Sequence, residues 1–282
     1  MDCNGNIELQ VLLCTFGEEG MERVVKSCHP EVEGVEYVVL WQQPDSELPV
    51  PECLAARSDF KVYTDSSRGV SRNRNRAIEA ATAPLALMGD DDVDYDADGL
   101  RLLLECARTL PDADILLCRY TQDNSFIKPY PAAPVPFREA PKGYYVTAFE
   151  IAFRPQAVKK AGIWFNENIS IGTPVLRCGE ENVFIRDAEV AHLKMMVIPV
   201  TIGAHDHPTT TDRDSREPYF VMTQGAIMTH VHPHTWPARL LVHAWRQQKR
   251  GYWNFFQYLR HCMAGIAYAR RNHVFDSRRK SY

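Results

Sequence analysis

Apolar residues along the first 120 positions follow two alternating rhythms. Short runs rich in leucine and β-branched residues, Glu8–Cys14, Val35–Trp41, Phe60–Tyr63, Pro84–Met88 and Asp114–Cys118, have the length and composition of strands. Between them, Glu18–Cys28, Ser71–Ala81 and Ala97–Thr109 space their apolar residues at helical intervals. Such a βαβα order predicts a largely parallel sheet with helices on both faces, whose ligands bind beyond the carboxyl ends of the strands.

The rest of the chain is less regular. Residues 129–141, "PYPAAPVPFREAP", are too proline-rich for a helix or a central strand and read as a surface loop. "YYVTAFEIAFR" reads as a strand, the stretch from "AGIWFNENISIGT" to "EVAHLK" as a loop leading into a helix, and "MMVIPVTIGAHDHP" as a strand ending in a polar cluster. From Trp236 the pattern is helical and broken near Gly251. His230, His232 and His234 alternate and would face one way on a strand, as transition-metal ligands do, but Pro233 interrupts them and no cysteine or carboxylate joins the run; a structural zinc site is not expected.

At 282 residues and 45% hydrophobic, the chain suffices for one large α/β domain with additions, or for two small ones. The eight cysteines form no CxxC pair and read as reduced, buried thiols. The amino-terminal stretch lacks a positively charged segment and keeps only a strand-length apolar run, which reads as a cytoplasmic start rather than a signal peptide or membrane span. The net charge of −4 hides an asymmetry: residues 235–282 carry +9 and residues 1–234 carry −13. Two different kinds of partner are implied.

Candidate chemistry begins at "APLALMGDDDVDYDADG", where an apolar strand runs into Asp90, Asp91 and Asp92. Carboxylate oxygens are the hard ligands of Mg2+ and Mn2+, and Asp90 and Asp92, two apart, can point the same way from an extended segment. Asp96 and Asp98 read instead as caps of the following helix. In "SSRGVSRNRNRAIEAAT", Arg68, Arg72, Arg74 and Arg76 crowd a helix start, where cations are unfavourable unless an anion such as a diphosphate offsets them. For Arg68 and Arg76, pairing with Glu79 or nearby aspartates accounts for the residues equally well.

"GVSRNRNRAIEAATAPLALMGDDDV" resembles the stretch in family 2 glycosyltransferases in which a G-x-S-x-x-R-N-x-x-I-x-x-A pattern precedes an apolar strand and a D-x-D motif. "FEIAFR", "AGIWFNENISIGT", "CGEENVFI" and "VIPVTIGAHDHPTTT" follow in the order of that family's acceptor half, so the resemblance spans most of residues 7–211. It implies a GT-A fold: a Rossmann-like, mostly parallel α/β sheet flanked by helices, with a donor half at 1–120 and an acceptor half at 121–234; the basic, aromatic-rich helical tail at 235–282 lies outside the resemblance. It further implies that Asp90 and Asp92 contact the donor and a divalent metal, Mn2+ or Mg2+, with Asp91 between them. Arg74 and Asn75 match the R-N pair near the donor, with Arg72 beside them. Thr15 matches a threonine near the nucleotide base, and His205 a histidine that approaches the metal or diphosphate. Glu181 falls at the general base and Glu180 at its neighbour in the acceptor pocket. Where the family carries P-T-Y-N and an aspartate-rich turn, this chain has "CTFGE" and "LWQQPDS"; Asp45 there is a substitute base contact or a turn former.

The function so implied is metal-dependent, inverting transfer of a sugar from a nucleotide-diphosphate donor to a hydroxyl of a glycan or lipid-linked glycan, as in polysaccharide biosynthesis, with no nucleic-acid partner. The tail either lies on an anionic membrane surface or docks its apolar stripe on the domain. A nucleotidyltransferase, or a non-catalytic glycan- or nucleotide-binding protein on the same scaffold, are the alternatives. The acidic "CTFGEEG" lacks the glycine-rich basic loop that a nucleotidyltransferase normally carries.

Overall fold

The computed structural model describes residues 6–45, 47–207 and 215–276. A nine-stranded sheet is built from β1 (Leu9–Phe16), β2 (Val35–Gln42), β3 (Phe60–Asp65), β4 (Leu85–Asp90), β5 (Asp94–Tyr95), β6 (Ile115–Thr121), β7 (Val135–Pro136), β8 (Ile151–Phe153) and β9 (Met195–Ala204). Its order is β3-β2-β1-β4-β8-β6-β9-β5, with β7 paired to β9. The first four spatial neighbours run parallel, as do β6 and β9, whereas β8 is antiparallel to both β4 and β6. Every residue of β2 is buried, Glu36 and Gln42 included, and its remaining residues are apolar or aromatic on both faces rather than alternating.

The helices are α1 (Gly17–Lys26), α2 (Glu52–Ala55), α3 (Val70–Ala80), α4 (Ala97–Thr109), α5 (Pro155–Lys160), α6 (Glu180–Val190), α7 (Pro218–Val231), α8 (Trp236–Lys249) and α9 (Phe255–Arg271). Asp96 caps α4 by accepting from the Gly99 N–H at 2.8 Å. Acidic Glu18 and Glu19 in the first turn of α1 complement its dipole.

Three readings are refined. "YYVTAFEIAFR" is strand only at Ile151–Phe153, because Thr147 and Glu150 form a capping box that winds Ala148–Glu150 into a 3-10 turn. The proline-rich loop contributes the two-residue β7, and Pro136 is tolerated there because the pairing is short and lies off the main strand path. The histidine run does not form a strand: His230 closes α7, a helix the sequence pattern leaves unread because apolar residues surround it instead of lining one face.

The chain divides into two compact units that follow different lines from the halves expected at 120/121 and the tail at 234/235. The first comprises the chain up to Arg68, Asn73–Ile163 and Ala188–His207; the second comprises Gly69–Arg72, Trp164–Asp187 and the chain from Pro208. The first unit holds the sheet and a core that includes Leu13, Val39, Trp41, Leu87, Leu103, Leu116, Phe149 and Ile202, each fully or almost fully buried. Burying one such side chain contributes about 1.5–3 kcal/mol.

In the second unit α7 and α9 cross at glycines: a Cβ on Gly265 would collide with Met222, and one on Gly225 with Cys262. Leu240, Ala244, Tyr258 and Cys262 are buried with Val221 and Met228 of α7, while Ile169, Leu176 and Val183 pack with Ala226, Ile227, Ala269 and Val274. Phe165 stacks on Phe184 with centroids 4.4 Å apart. The basic tail is thus part of this unit's core on one side, as far as the described residues reach; Ser277 to Tyr282 lie outside them.

Seven cysteines are described and none is in a disulfide. Burial pushes the Cys14 thiol up to about 12. Cys28 and Cys53 are exposed, contrary to the expectation of buried thiols, because Cys28 follows the end of α1 and Cys53 lies on the short helix α2, of which only Leu54 is buried.

Candidate active site

Strand β4 runs parallel to β1 with Cys14 opposite Asp90, so the acidic loop leaves the sheet level with the end of β1. Three adjacent carboxylates repel one another unless each finds its own partner, and here each does. Asp90 Oδ1 accepts from the Arg74 guanidinium at 2.8 Å. Asp91 turns inward: Oδ2 accepts from Thr15 Oγ1 at 2.6 Å and from Arg23 Nη2 at 3.0 Å, and Oδ1 accepts from Arg23 Nε at 2.9 Å. Asp92 Oδ1 lies 3.3 Å from His205 Nε2.

Local sequence makes room for this arrangement. Helix α1 approaches the Thr15–Asp91 contact at Gly20, where a Cβ would collide with Thr15 Oγ1, so the second glycine of "GEEG" is sterically required. Asn73 of α3 donates to the carbonyls of Thr15 at 3.2 Å and Leu40 at 2.7 Å, tying the arginine-bearing helix to the ends of β1 and β2.

Burial alone would raise Asp92 and lower His205, but their mutual hydrogen bond and charge outweigh it. Asp92 is held below the ordinary carboxylate range, and His205, with Asp90 adding to Asp92, is raised. Burial likewise pushes Asp91 upward, against the pull of Arg23 and Thr15. The signs define a pH window. The raised His205 contributes stability that is complete below 6.5 and lost as pH rises through its folded value. The depressed Asp92 contributes stability present above 3.8 and lost as pH falls through its folded value. The metal-free protein is therefore expected to lose urea resistance as pH rises above 6.5 through the raised folded value of His205, and a His205→Gln variant to lose less over that rise. Parallel urea midpoints for the two proteins would remove the pair as the cause.

His205 is backed by aromatic rings, stacking on Phe149 with centroids 5.1 Å apart, and Phe149 meets Tyr120 edge-on at 4.7 Å. Behind them lies a pair that sequence reading does not single out: Lys128 Nζ donates to Glu150 Oε2 at 2.5 Å, and both side chains are 0% exposed. The ammonium also donates to the Tyr145 carbonyl and Thr147 Oγ1, and the rings of Tyr120, Tyr130, Tyr144 and Tyr145 surround it at 4.3–5.6 Å.

Of the expected site residues, the first unit brings together Thr15, Arg74, Asp90, Asp91, Asp92 and His205, and holds Asn75 buried in α3. Arg72 belongs to the second unit, with Glu167 as an ionic neighbour at 3.9 Å. Arg68 pairs with Asp45 and Arg76 with Asp65, both at 2.5 Å. Glu180 and Glu181 occupy the first turn of α6 in the second unit; Glu180 is buried, and Glu181 Oε1 accepts from the Asn182 side chain at 2.8 Å. Two turns along α6, buried Asp187 meets His230 Nε2 at 2.9 Å, the carboxylate partner that the histidine run lacks in sequence. Sequence reading misses Arg23, Asn73 and Lys128. Arg23 and Lys128 have no local signal, whereas Asn73 stands inside the "SRNRNR" motif.

Among the described residues no group of three or more histidine, cysteine and acidic side chains is placed to hold a metal ion. That donor set suits a cation that takes one or two carboxylates and completes its shell with substrate phosphates, and it does not suit a closed structural site. Asp92 and Asp90 supply hard oxygens and His205 a nitrogen, a mixture that Mn2+ accepts. His205 Nδ1 is buried without a hydrogen-bond partner, so only Nε2 is directed at Asp92.

No family model matches the chain, and no curated protein sequence does. Its fold does match solved structures of S. aureus TarS. TarS 1-349 aligns with a TM-score of 0.60 at 15% identity, covering 94% of this chain and 92% of that one. The complex of TarS 1-349 with UDP-GlcNAc aligns over the same shares with a TM-score of 0.55 at 15% identity. A longer TarS chain aligns with a TM-score of 0.56 at 17% identity, over 79% of this chain and 39% of that one. The mixed α/β sheet flanked by helices is thus a GT-A-like fold.

Proposed function

We propose that this chain is a family 2 glycosyltransferase that moves a sugar from a nucleotide-diphosphate donor to a hydroxyl of a glycan or glycoconjugate. The observation that carries the reading is the acidic loop at the carboxyl end of β4, with Arg74, Arg23 and His205 each committed to a different aspartate. Uridine is the favoured base, because the matching fold of TarS has been solved with UDP and with UDP-GlcNAc.

In this reading a divalent cation would take one or two of its ligands from among Asp92, Asp90 and His205 and the rest of its shell from the donor diphosphate, and it would offset charge on the departing group. Arg74 lies beside Asp90 and adds positive charge to the same end of the sheet. Asp91 holds the loop through Thr15 and Arg23 instead of reaching the ligand. Glu181 accepts the proton of the acceptor hydroxyl, whose oxygen bonds to the anomeric carbon as the bond to the diphosphate oxygen breaks. One base and a single displacement give inversion.

Calorimetric titration of UDP with and without Mn2+ tests the donor site. Asp92→Asn is expected to keep the fold, since asparagine keeps the size of the side chain and an oxygen that can face His205 Nε2, and to weaken Mn2+-dependent UDP binding by at least about 10–100-fold. Wild-type affinity in that variant, with Mn2+ still required, would dismiss the assignment of Asp92.

A further inference from the structure

Helices α8 and α9 bury one side and leave on the other an unusual set of side chains. Opposite the packed residues stand Leu241, Val242 and Trp245 on α8, Tyr252 in the connection, and Phe256 and Met263 on α9, all exposed. Trp245 is 52% and Phe256 76% exposed. Leu241 and Trp245 are four positions apart and Phe256 and Met263 seven, so each helix carries an outward apolar stripe.

Charge distinguishes this surface from an ordinary solvated helix pair. Between Trp236 and Arg271 the chain has seven arginines and lysines and no acidic residue. Arg246, Lys249 and Arg250 crowd the end of α8, and Arg260 follows on α9; all four are exposed. Lys249 Nζ sits 4.2 Å from the Trp245 ring, and the Arg216 guanidinium 4.8 Å from the Tyr252 ring, so basic groups lie directly against exposed aromatics. Aromatic rings flanked by cations are the side chains that settle at the headgroup level of a bilayer. A second copy of the chain presenting this same face would oppose like charge to like charge.

We infer that the α8–α9 hairpin is a peripheral membrane-binding element, with Trp245, Tyr252 and Phe256 seated among the headgroups of an anionic leaflet and Arg246, Lys249, Arg250 and Arg260 against its phosphates. No helix among the described residues is long and apolar enough to cross a membrane, so the contact is interfacial. The inference does not rest on the transferase reading.

Vesicle flotation of the full-length protein tests it. Phosphatidylcholine vesicles containing an equal part of phosphatidylglycerol should carry the protein, and phosphatidylcholine alone should not. Added salt should weaken the association. Arg246→Gln, Lys249→Gln and Arg250→Gln together should reduce partitioning by about fivefold per charge, on the order of a hundredfold in all. Trp245→Ser with Phe256→Ser should reduce it at least about tenfold per ring. All five positions are exposed, so melting temperatures and UDP titrations should match wild type and report intact folding separately. Flotation without anionic preference, or variants that float as wild type does, would overturn the inference. So would variants that leave flotation intact but abolish self-association or RNA binding.

Discussion

A Glu181→Gln protein is expected to lose sugar transfer by roughly 10²–10⁴-fold while binding UDP and Mn2+ with nearly wild-type affinity. Glutamine keeps the shape of the side chain and an oxygen able to accept from Asn182, as Glu181 Oε1 does at 2.8 Å, but it cannot take the acceptor proton. Thr15, Arg23, Arg74, Asp90, Asp91, Asp92 and His205 all belong to the first unit, whereas Glu181 belongs to the second. Glutamate in the first turn of α6 also favours the helix dipole, by about 0.3–1 kcal/mol, and Glu180 alone suffices for that. The dipole role cannot produce a rate loss of hundreds-fold at constant stability. Single-turnover transfer alongside UDP titration separates the two roles. Near wild-type transfer would exclude Glu181 as the base and direct attention to Glu180 or Asp187.

Lys128→Met is expected to destabilise the fold by about 3–5 kcal/mol, because it leaves the Glu150 carboxylate buried without its cation. Against a typical total of about 5–15 kcal/mol this is a large share. Burial already raises Glu150 above the ordinary carboxylate range, held in check by Lys128, Tyr130 and the Thr147 N–H. Without Lys128 that rise grows, so the penalty should increase as pH climbs above 4.5 and shrink in acid, where Glu150 is neutral in both states. Adding Glu150→Gln should recover part of the loss, since glutamine carries no charge and its one carbonyl oxygen can still accept from Tyr130 or from Thr147. Urea midpoints of the single and double variants at neutral and acidic pH provide the check. Equal stability of Lys128→Met and wild type at neutral pH would show that the pair contributes nothing net.

The legible part of the molecule is the part whose signals are local. Strands β1 to β4 and β6, and helices α1, α3 and α4, fall within a few residues of the segments marked by apolar periodicity, because a strand buried on both faces or a helix with one apolar face records its environment in consecutive residues. The acidic loop is legible for the same reason, since three aspartates directly after an apolar run have no packing explanation. Helix α7 is not, because it is enclosed by α8, α9 and the 169–183 segment, and an all-round apolar helix has no periodic contrast. The burial of Glu150 also escapes, because the cation that pairs with it, Lys128, lies more than twenty residues away.

The sequence by itself determined the sheet's main strands, the helices that cover them and the presence of crowded carboxylates and arginines at the strand ends. Only the tertiary structure decided which carboxylate does what. Arg23 binds Asp91 across 68 positions and His205 meets Asp92 across more than a hundred, and no local pattern encodes either pairing. The same holds for the basic tail, whose composition allows a docked helix pair or a membrane-facing one. Packing shows that its two helices bury Leu240, Ala244, Tyr258 and Cys262 and turn Trp245 and Phe256 outward. Periodicity specifies how a segment folds on itself, but the direction and partner of a charged side chain depend on which distant elements the core brings beside it.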